Sequence, residues 1–202
     1  MITRRGLIVT GGATLLTGCD AWSGSPVLLS AEEAHRYLQR SITGRAALAR
    51  EFRPEQRSPR FRTNGTANPD TPEYAALAAG RFADWRLQVG GLVRQPLSLS
   101  LAQLRALPQR AQITRHDCVE GWSAIGKWQG PRLETILAWA MNDAPLGIGH
   151  GAPLRLRVER QLGYKHAKYV MRIEAVASLA GIGGGKGGFW EDIAGYEWYA
   201  GI

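Results

Sequence analysis

The stretch Gln112-Ile113-Thr114-Arg115-His116-Asp117-Cys118-Val119-Glu120-Gly121-Trp122-Ser123-Ala124-Ile125-Gly126-Lys127-Trp128-Gln129-Gly130 places one cysteine where an extended segment runs into turn-rich sequence. Residues 112–115 read as a strand that delivers Cys118 into that turn. The only other cysteine, Cys19, lies in an N-terminal segment of different character, so the body of the chain keeps a single thiol without a disulfide partner. A lone thiol beside His116, Asp117, Glu120 and Trp122 is a candidate metal ligand or nucleophile. One cysteine is too few for the usual structural zinc site, which takes four protein ligands at recognisable spacing. Hydrolysis with Cys118 as nucleophile and His116 as base is the poorer alternative, because two residues of separation on a strand or turn do not make the needed contact.

Outward from this stretch, the chain mixes short strands with few helices, which argues an α+β fold rather than a doubly wound sheet. Trp85-Arg86-Leu87-Gln88-Val89 alternates large apolar and polar residues at strand period. Ser100 and Gln103 form a capping box for a short helix ending before Pro108. Leu133, Ile136, Leu137 and Ala140 recur at helical spacing and predict a helix. Leu154, Leu156 and Val158 alternate with Arg155, Arg157 and Glu159 as a strand, and Tyr169, Met171 and Ile173 suggest another. Trp122 and Trp128 read as packing against the pocket wall. The run Gly181 to Gly188 lacks the spacing of a phosphate loop and is not expected to lead into a helix, so a nucleotide reading fails. No internal repeat is visible.

Toward the N-terminus, residues 1–18 read as an export signal: Arg4 and Arg5 form a twin-arginine pair before a short, mildly apolar stretch. Leu16-Thr17-Gly18-Cys19 is similar to a bacterial lipobox, making Cys19 the expected lipidation site and Asp20 an expected signal for inner-membrane retention; an ordinary secretory signal with an incidental Cys19 is the alternative. Residues 19–59 read as a tether and helical segment, with Ser30 and Glu33 as a capping box, and 52–72 as an extended loop. The remaining 60–202 suffice for one domain. The formal charge is +8, falling to +6 once Arg4 and Arg5 leave with residues 1–18. In an exported lipoprotein, with no aromatic-interleaved basic motif, that excess excludes nucleic acid as the expected partner and suits a membrane surface or an anionic cofactor.

The segment from Thr114 to Gly130 resembles the molybdenum-ligating segment of the sulfite-oxidase-like molybdopterin-dependent oxidoreductases, a family that includes the periplasmic methionine-sulfoxide reductase catalytic subunits. A second block, His150-Gly151-Ala152-Pro153-Leu154-Arg155 with Gly163-Tyr164-Lys165-His166-Ala167-Lys168, resembles the part of that family that wraps the pterin and its phosphate, and the tail from Phe189 to Ile202 resembles the family's C-terminus. The resemblance implies a sulfite-oxidase-type fold, a molybdenum–molybdopterin cofactor, and Cys118 as catalytic metal ligand. It implies cofactor contacts from His150, Arg155, His166, Ala167 and Lys168, and from Asn64 in the turn Asn64-Gly65-Thr66. Arg155 taken alone reads as a solvent-facing strand residue; within the block it reads as a phosphate ligand. His116 reads equally as a neighbour of the metal or as a histidine satisfied by local hydrogen bonds.

The resemblance covers most of residues 60–202, yet family members carry a substantial segment between the two blocks, and here Gly130-Pro131-Arg132-Leu133 runs directly into Glu134-Thr135-Ile136. The resemblance therefore implies an internal deletion, whether in a natural minimal form, a damaged gene or a sequencing artefact, so open strand edges and an altered substrate pocket are expected. The expectation is an exported enzyme on the periplasmic side of the inner membrane. It would transfer an oxygen atom to or from a small substrate such as a sulfur oxyanion or sulfoxide, with a haem-bearing membrane subunit or a cytochrome as redox partner. The alternative is a non-catalytic lipoprotein that keeps a degenerate form of the fold as a binding module.

Overall fold

The computed structural model describes residues 49–132 and 135–202, so the signal, the lipobox cysteine and the capping box of Ser30 lie outside the described residues. Three helices and nine strands follow in order: α1 (Pro72–Ala79), β1 (Arg86–Gly91), β2 (Leu97–Ser100), α2 (Leu101–Ala106), β3 (Gln109–Asp117), β4 (Ser123–Pro131), β5 (Ile136–Ala138), β6 (Ala140–Met141), β7 (Ala144–Pro145), β8 (Arg155–Arg157), β9 (Arg172–Ala175) and α3 (Phe189–Ala194). The fold is α+β. One sheet has the order β2-β1-β9, with β1 antiparallel to β2 and parallel to β9; a second runs β3-β4-β6-β7; β5 and β8 form a third.

Local rules account for several elements. Ser100 accepts from the Gln103 amide while Gln103 reaches back to the Ser100 amide, the reciprocal cap expected for α2. Trp85, just before β1, and Leu87 within it turn inward and join Leu104, Leu137 and Leu154 in one apolar core. A second core gathers Trp128, Ile136, Ala138, Leu146 and Ala152.

Where a helix is predicted through residues 133–140, the described residues form two short strands of different sheets, β5 and β6. Ile136, Leu137 and Ala138 are all buried, with Ile136 and Ala138 in one core and Leu137 in the other. A strand buried on both faces reads as a continuous apolar run, and periodicity cannot separate it from a buried helix. Gly130 is what lets β4 lie against β5, since a Cβ there would collide with the Leu137 carbonyl. Tyr169 adopts a left-handed conformation (φ 57°), so the last predicted strand begins only at Arg172. Contrary to expectation, a helix (α3) does follow the glycine-rich run. The outer edge of β3 is partly covered: Glu51 bridges Thr114, and the Phe52 amide donates to the Ile113 carbonyl.

Candidate cofactor site

β3 and β4 form a nine-residue antiparallel hairpin from Gln109↔Pro131 to Asp117↔Ser123. Its tip is closed by Cys118 N–H to the Trp122 carbonyl (2.9 Å) and Gly121 N–H to the Cys118 carbonyl (3.0 Å), with Gly121 at φ +80°. Alternation along β3 puts Gln112, Thr114 and His116 on the buried face, and Cys118, also buried, continues them. This face is polar because what packs on it is polar.

That partner is β8, where the expected pattern is inverted. Leu156 pairs with Leu137 in the first core, so Arg155 and Arg157 turn to the opposite face, opposite Ala138 and Ile136. They are 4% and 0% exposed and lie over the Trp128 ring at 5.2 and 4.4 Å. Trp128 is thus a buried platform for two guanidinium groups. The 3-10 turn Gly163–Lys165 follows, and Leu156 N–H holds the next stretch through the Ala167 carbonyl at 2.8 Å.

A cavity of about 850 Å³ opens beside this layer, and Asn64, Cys118, Arg155, His166, Ala167 and Lys168 all contribute to its wall. Asn64 Nδ2 lies 3.0 Å from Cys118 Sγ. Lys168 Nζ donates to the carbonyls of Asn64 (2.9 Å), Gly149 (3.0 Å) and Thr66, fastening the Asn64 turn to the far side of the cavity. His150, the seventh predicted contact, does not line the cavity. Its carbonyl accepts from Arg155 Nη1 at 3.3 Å and its ring meets Phe61 edge-on.

The electrostatics favour an anion. Burial pushes Arg155 down to about 10 and Arg157 to about 9, and burial reinforced by Arg155 pushes Lys168 down to about 8. Burial, then Arg157 and Arg155, lowers His116 to about 3; burial, then Arg157, His116 and Arg155, lowers His166 well below its ordinary value. Among the described residues Arg155 has no carboxylate ion pair, and its Nε has no hydrogen-bond partner. A desolvated guanidinium at a cavity wall without a counter-charge is poised for an anionic ligand. Among the described residues, no three His, Cys, Asp or Glu side chains converge, so a metal here takes one protein thiolate and needs its remaining ligands from elsewhere. A phosphate-bearing pterin that brings its own sulfur ligands fits that donor set.

The glycine-rich run is no phosphate cradle: the Asp192 carboxylate already accepts from the Gly184 (2.7 Å) and Lys186 (3.0 Å) amides. Sequence reading missed two features. Arg157 was assigned to the polar side of its strand, and only the Leu137–Leu156 pairing shows otherwise. The other is the Lys165–Glu191 ion pair, 13% and 5% exposed, which joins the cavity wall to α3; no local pattern announces a contact across 26 residues.

A single buried thiol, a buried guanidinium without a carboxylate partner and a cavity beside them suit an anionic ligand. The chain matches the family described as "Oxidoreductase molybdopterin binding domain" over residues 74–137 and again over 131–180. It is 31% identical over 230 residues to the YedZ1 subunit of Azospira oryzae, provisionally named a protein-methionine-sulfoxide reductase subunit, with 95% of this chain and 83% of that protein covered. It is 28% identical over 159 residues to the uncharacterized oxidoreductase YuiH of Bacillus subtilis, covering 60% of this chain and 75% of that one. It is 26% identical over 167 residues to the protein-methionine-sulfoxide reductase catalytic subunit MsrP of Xanthomonas axonopodis pv. citri, covering 57% of this chain and 51% of that protein. The chain belongs to the sulfite-oxidase-like family of molybdopterin-binding oxidoreductases. It is an oxidoreductase, and its cofactor is molybdenum–molybdopterin.

The two family matches overlap at 131–137, at the junction where sequence reading located a missing piece. The alignment with the Azospira protein is longer than this 202-residue chain, so that relative has residues with no counterpart here. At the junction Arg132 bridges directly to Ile136.

Proposed function

We propose that the protein is an exported oxidoreductase that transfers an oxygen atom to or from a small sulfur-containing substrate, a sulfoxide or a sulfur oxyanion. The observation that carries this reading is the convergence of the lone thiol of Cys118 with the unpaired Arg155 and with Lys168 on one cavity. When bound, the cofactor supplies the two-electron change that such a transfer requires. Reduction of a sulfoxide consumes two electrons and two protons and releases the thioether and water; oxidation of a sulfur oxyanion runs the electrons the other way.

The chain's own groups bind and orient. Cys118 offers its sulfur to the metal from a hairpin tip held by two backbone hydrogen bonds, and Asn64 fixes that sulfur's direction. Arg155 and Lys168 neutralise the cofactor's phosphate, while His166 and Ala167 shape the wall against the pterin. His150 acts at one remove, by accepting from Arg155. Arg4–Arg5 and Cys19 give a twin-arginine signal and a lipid anchor that hold the enzyme on the periplasmic side of the inner membrane, where a haem-bearing subunit or a cytochrome exchanges electrons with it. Relatives named as subunits agree with such a partner.

The test is molybdenum and pterin analysis of protein made in a cofactor-competent host, wild type beside Cys118→Ser, followed by turnover with methionine sulfoxide and with sulfite. Near-stoichiometric metal and pterin in the wild type, with metal lost in the variant, supports the site. Well-folded wild type without either would overturn it. The internal deletion inferred from the sequence favours one second reading, a non-catalytic lipoprotein with a degenerate fold. It predicts weak or absent cofactor binding without turnover, and turnover only in a chimera that restores the segment.

A further inference from the structure

We propose that Arg157, wholly buried and not part of the cavity wall, is a positioning residue. It ties β3, the strand that leads into Cys118, to the segment that carries His166 and Lys168, and it sets both imidazoles it touches as their Nε2–H tautomers. The inference deepens the reading of Cys118 as metal ligand and rests on it for its functional consequence.

Apart from Arg157 Nε and His116 Nε2, which are buried without a hydrogen-bond partner, the donors and acceptors close around this one side chain. Arg157 Nη1 lies 2.9 Å from His116 Nδ1 and 2.5 Å from His166 Nδ1; Nη2 donates to Thr114 Oγ1 at 3.1 Å and to the Arg115 carbonyl at 3.4 Å. A guanidinium only donates, so the two hydrogens on Nη1 face two accepting ring nitrogens and the two on Nη2 face two oxygens. A neutral imidazole that accepts at Nδ1 carries its proton on Nε2. For His166 the opposite side of the ring requires the same thing independently: Nε2 faces the Val158 carbonyl at 2.9 Å and the Gln161 carbonyl at 3.1 Å, which can only accept. The two rings meet edge to face at 5.0 Å, and Gly163 lies so close that a Cβ there would stand 2.7 Å from His116 Nε2.

The consequence is positional. His116 precedes Cys118 by two residues on the same strand face, and His166 precedes Lys168 by two along the cavity wall. One planar fork therefore spans the two halves of the site, from opposite ends of the sequence block. Lysine, with a single point of donation on a flexible stem, cannot reproduce four contacts in one plane.

The experiment uses the full-length holoprotein labelled with nitrogen-15 histidine. The chain has four histidines, and His116→Gln and His166→Gln assign the two that matter. Both rings are expected to show the Nε2–H pattern in the wild type. Arg157→Lys, with unchanged overall secondary structure, is expected to lose that pattern in at least one ring, to retain metal about 10- to 100-fold more weakly, and to expose Cys118 to faster alkylation when metal-free. Arg157→Met repeats the test without charge; if it does not fold, the wild-type spectrum and Arg157→Lys decide. An Nδ1–H or doubly protonated ring at either position in the wild type overturns the inference. So does a folded Arg157→Lys that keeps wild-type metal retention and Cys118 reactivity. Failure of the cofactor reading looks different: no molybdenum in the wild type, with the tautomer pattern and the alkylation difference intact.

Discussion

Replacing Arg155 by methionine should move stability and cofactor retention in opposite directions. Without cofactor, Arg155 is a buried cation whose ordinary value near 12.5 is held down to about 10, chiefly by burial. That depression corresponds to a penalty of about 3 kcal/mol for keeping the group charged at neutral pH. The depressed value also gives the sign with pH: the penalty is fully present below about 10 and fades as pH rises toward 12.5. Against it stand one hydrogen bond to the His150 carbonyl and the contact with Trp128, together worth about 1–3 kcal/mol. Methionine keeps most of the volume and none of the charge. The metal-free variant should therefore match the wild type or exceed it by up to about 2 kcal/mol in urea unfolding. In the loaded protein the same change removes a charge-assisted contact to phosphate of about 1.5–3 kcal/mol, so cofactor retention falls about 10- to 150-fold. A metal-free variant destabilised by several kcal/mol that keeps its pterin would refute the reasoning and make Arg155 a structural strut.

Lys168 is held near 8 by burial and then by Arg155, so below that pH the folded state carries a desolvated ammonium, a cost relieved as pH rises. Sulfate, whose charge is constant over this range, should bind the metal-free protein progressively more weakly as pH passes from 7 to 9. Isothermal titration of Lys168→Met should show that dependence abolished; a flat wild-type profile contradicts the assignment. Gly130→Ala should cost about 3 kcal/mol, the upper part of the overpacking range, because the colliding atom is the Leu137 carbonyl of the backbone, which cannot rotate away. An unfolding free energy from urea titration within about 1 kcal/mol of wild type would show that β4 and β5 can separate without loss.

Much of the site was legible because its signals are local. The lone thiol of Cys118 after a strand, the Ser100–Gln103 cap and the block from His150 to Lys168 are patterns over a few residues, and their chemistry does not depend on what packs above them. The errors fall where packing decides. Residues 133–140 satisfy helical spacing, yet β5 lies between two apolar cores and is buried on both faces, an environment no single-chain period can encode.

By itself, the sequence determined the class of protein and the candidates for its site: one sulfur, a set of cations suited to an anionic cofactor, and short strands around them. Only the tertiary structure decided which face of β8 is inside. The alternation of Leu154, Leu156 and Val158 with Arg155 and Arg157 defines two faces but not their destinations. Pairing with β5 commits Leu156 to Leu137, and the arginines must then occupy the other side, where Trp128, Thr114, His116 and His166 receive them. A buried guanidinium is tolerable only where acceptors and an aromatic face are already assembled; for Arg157, His166 lies nine residues on, but His116 and Thr114 come from a strand 41 and 43 residues away in the chain.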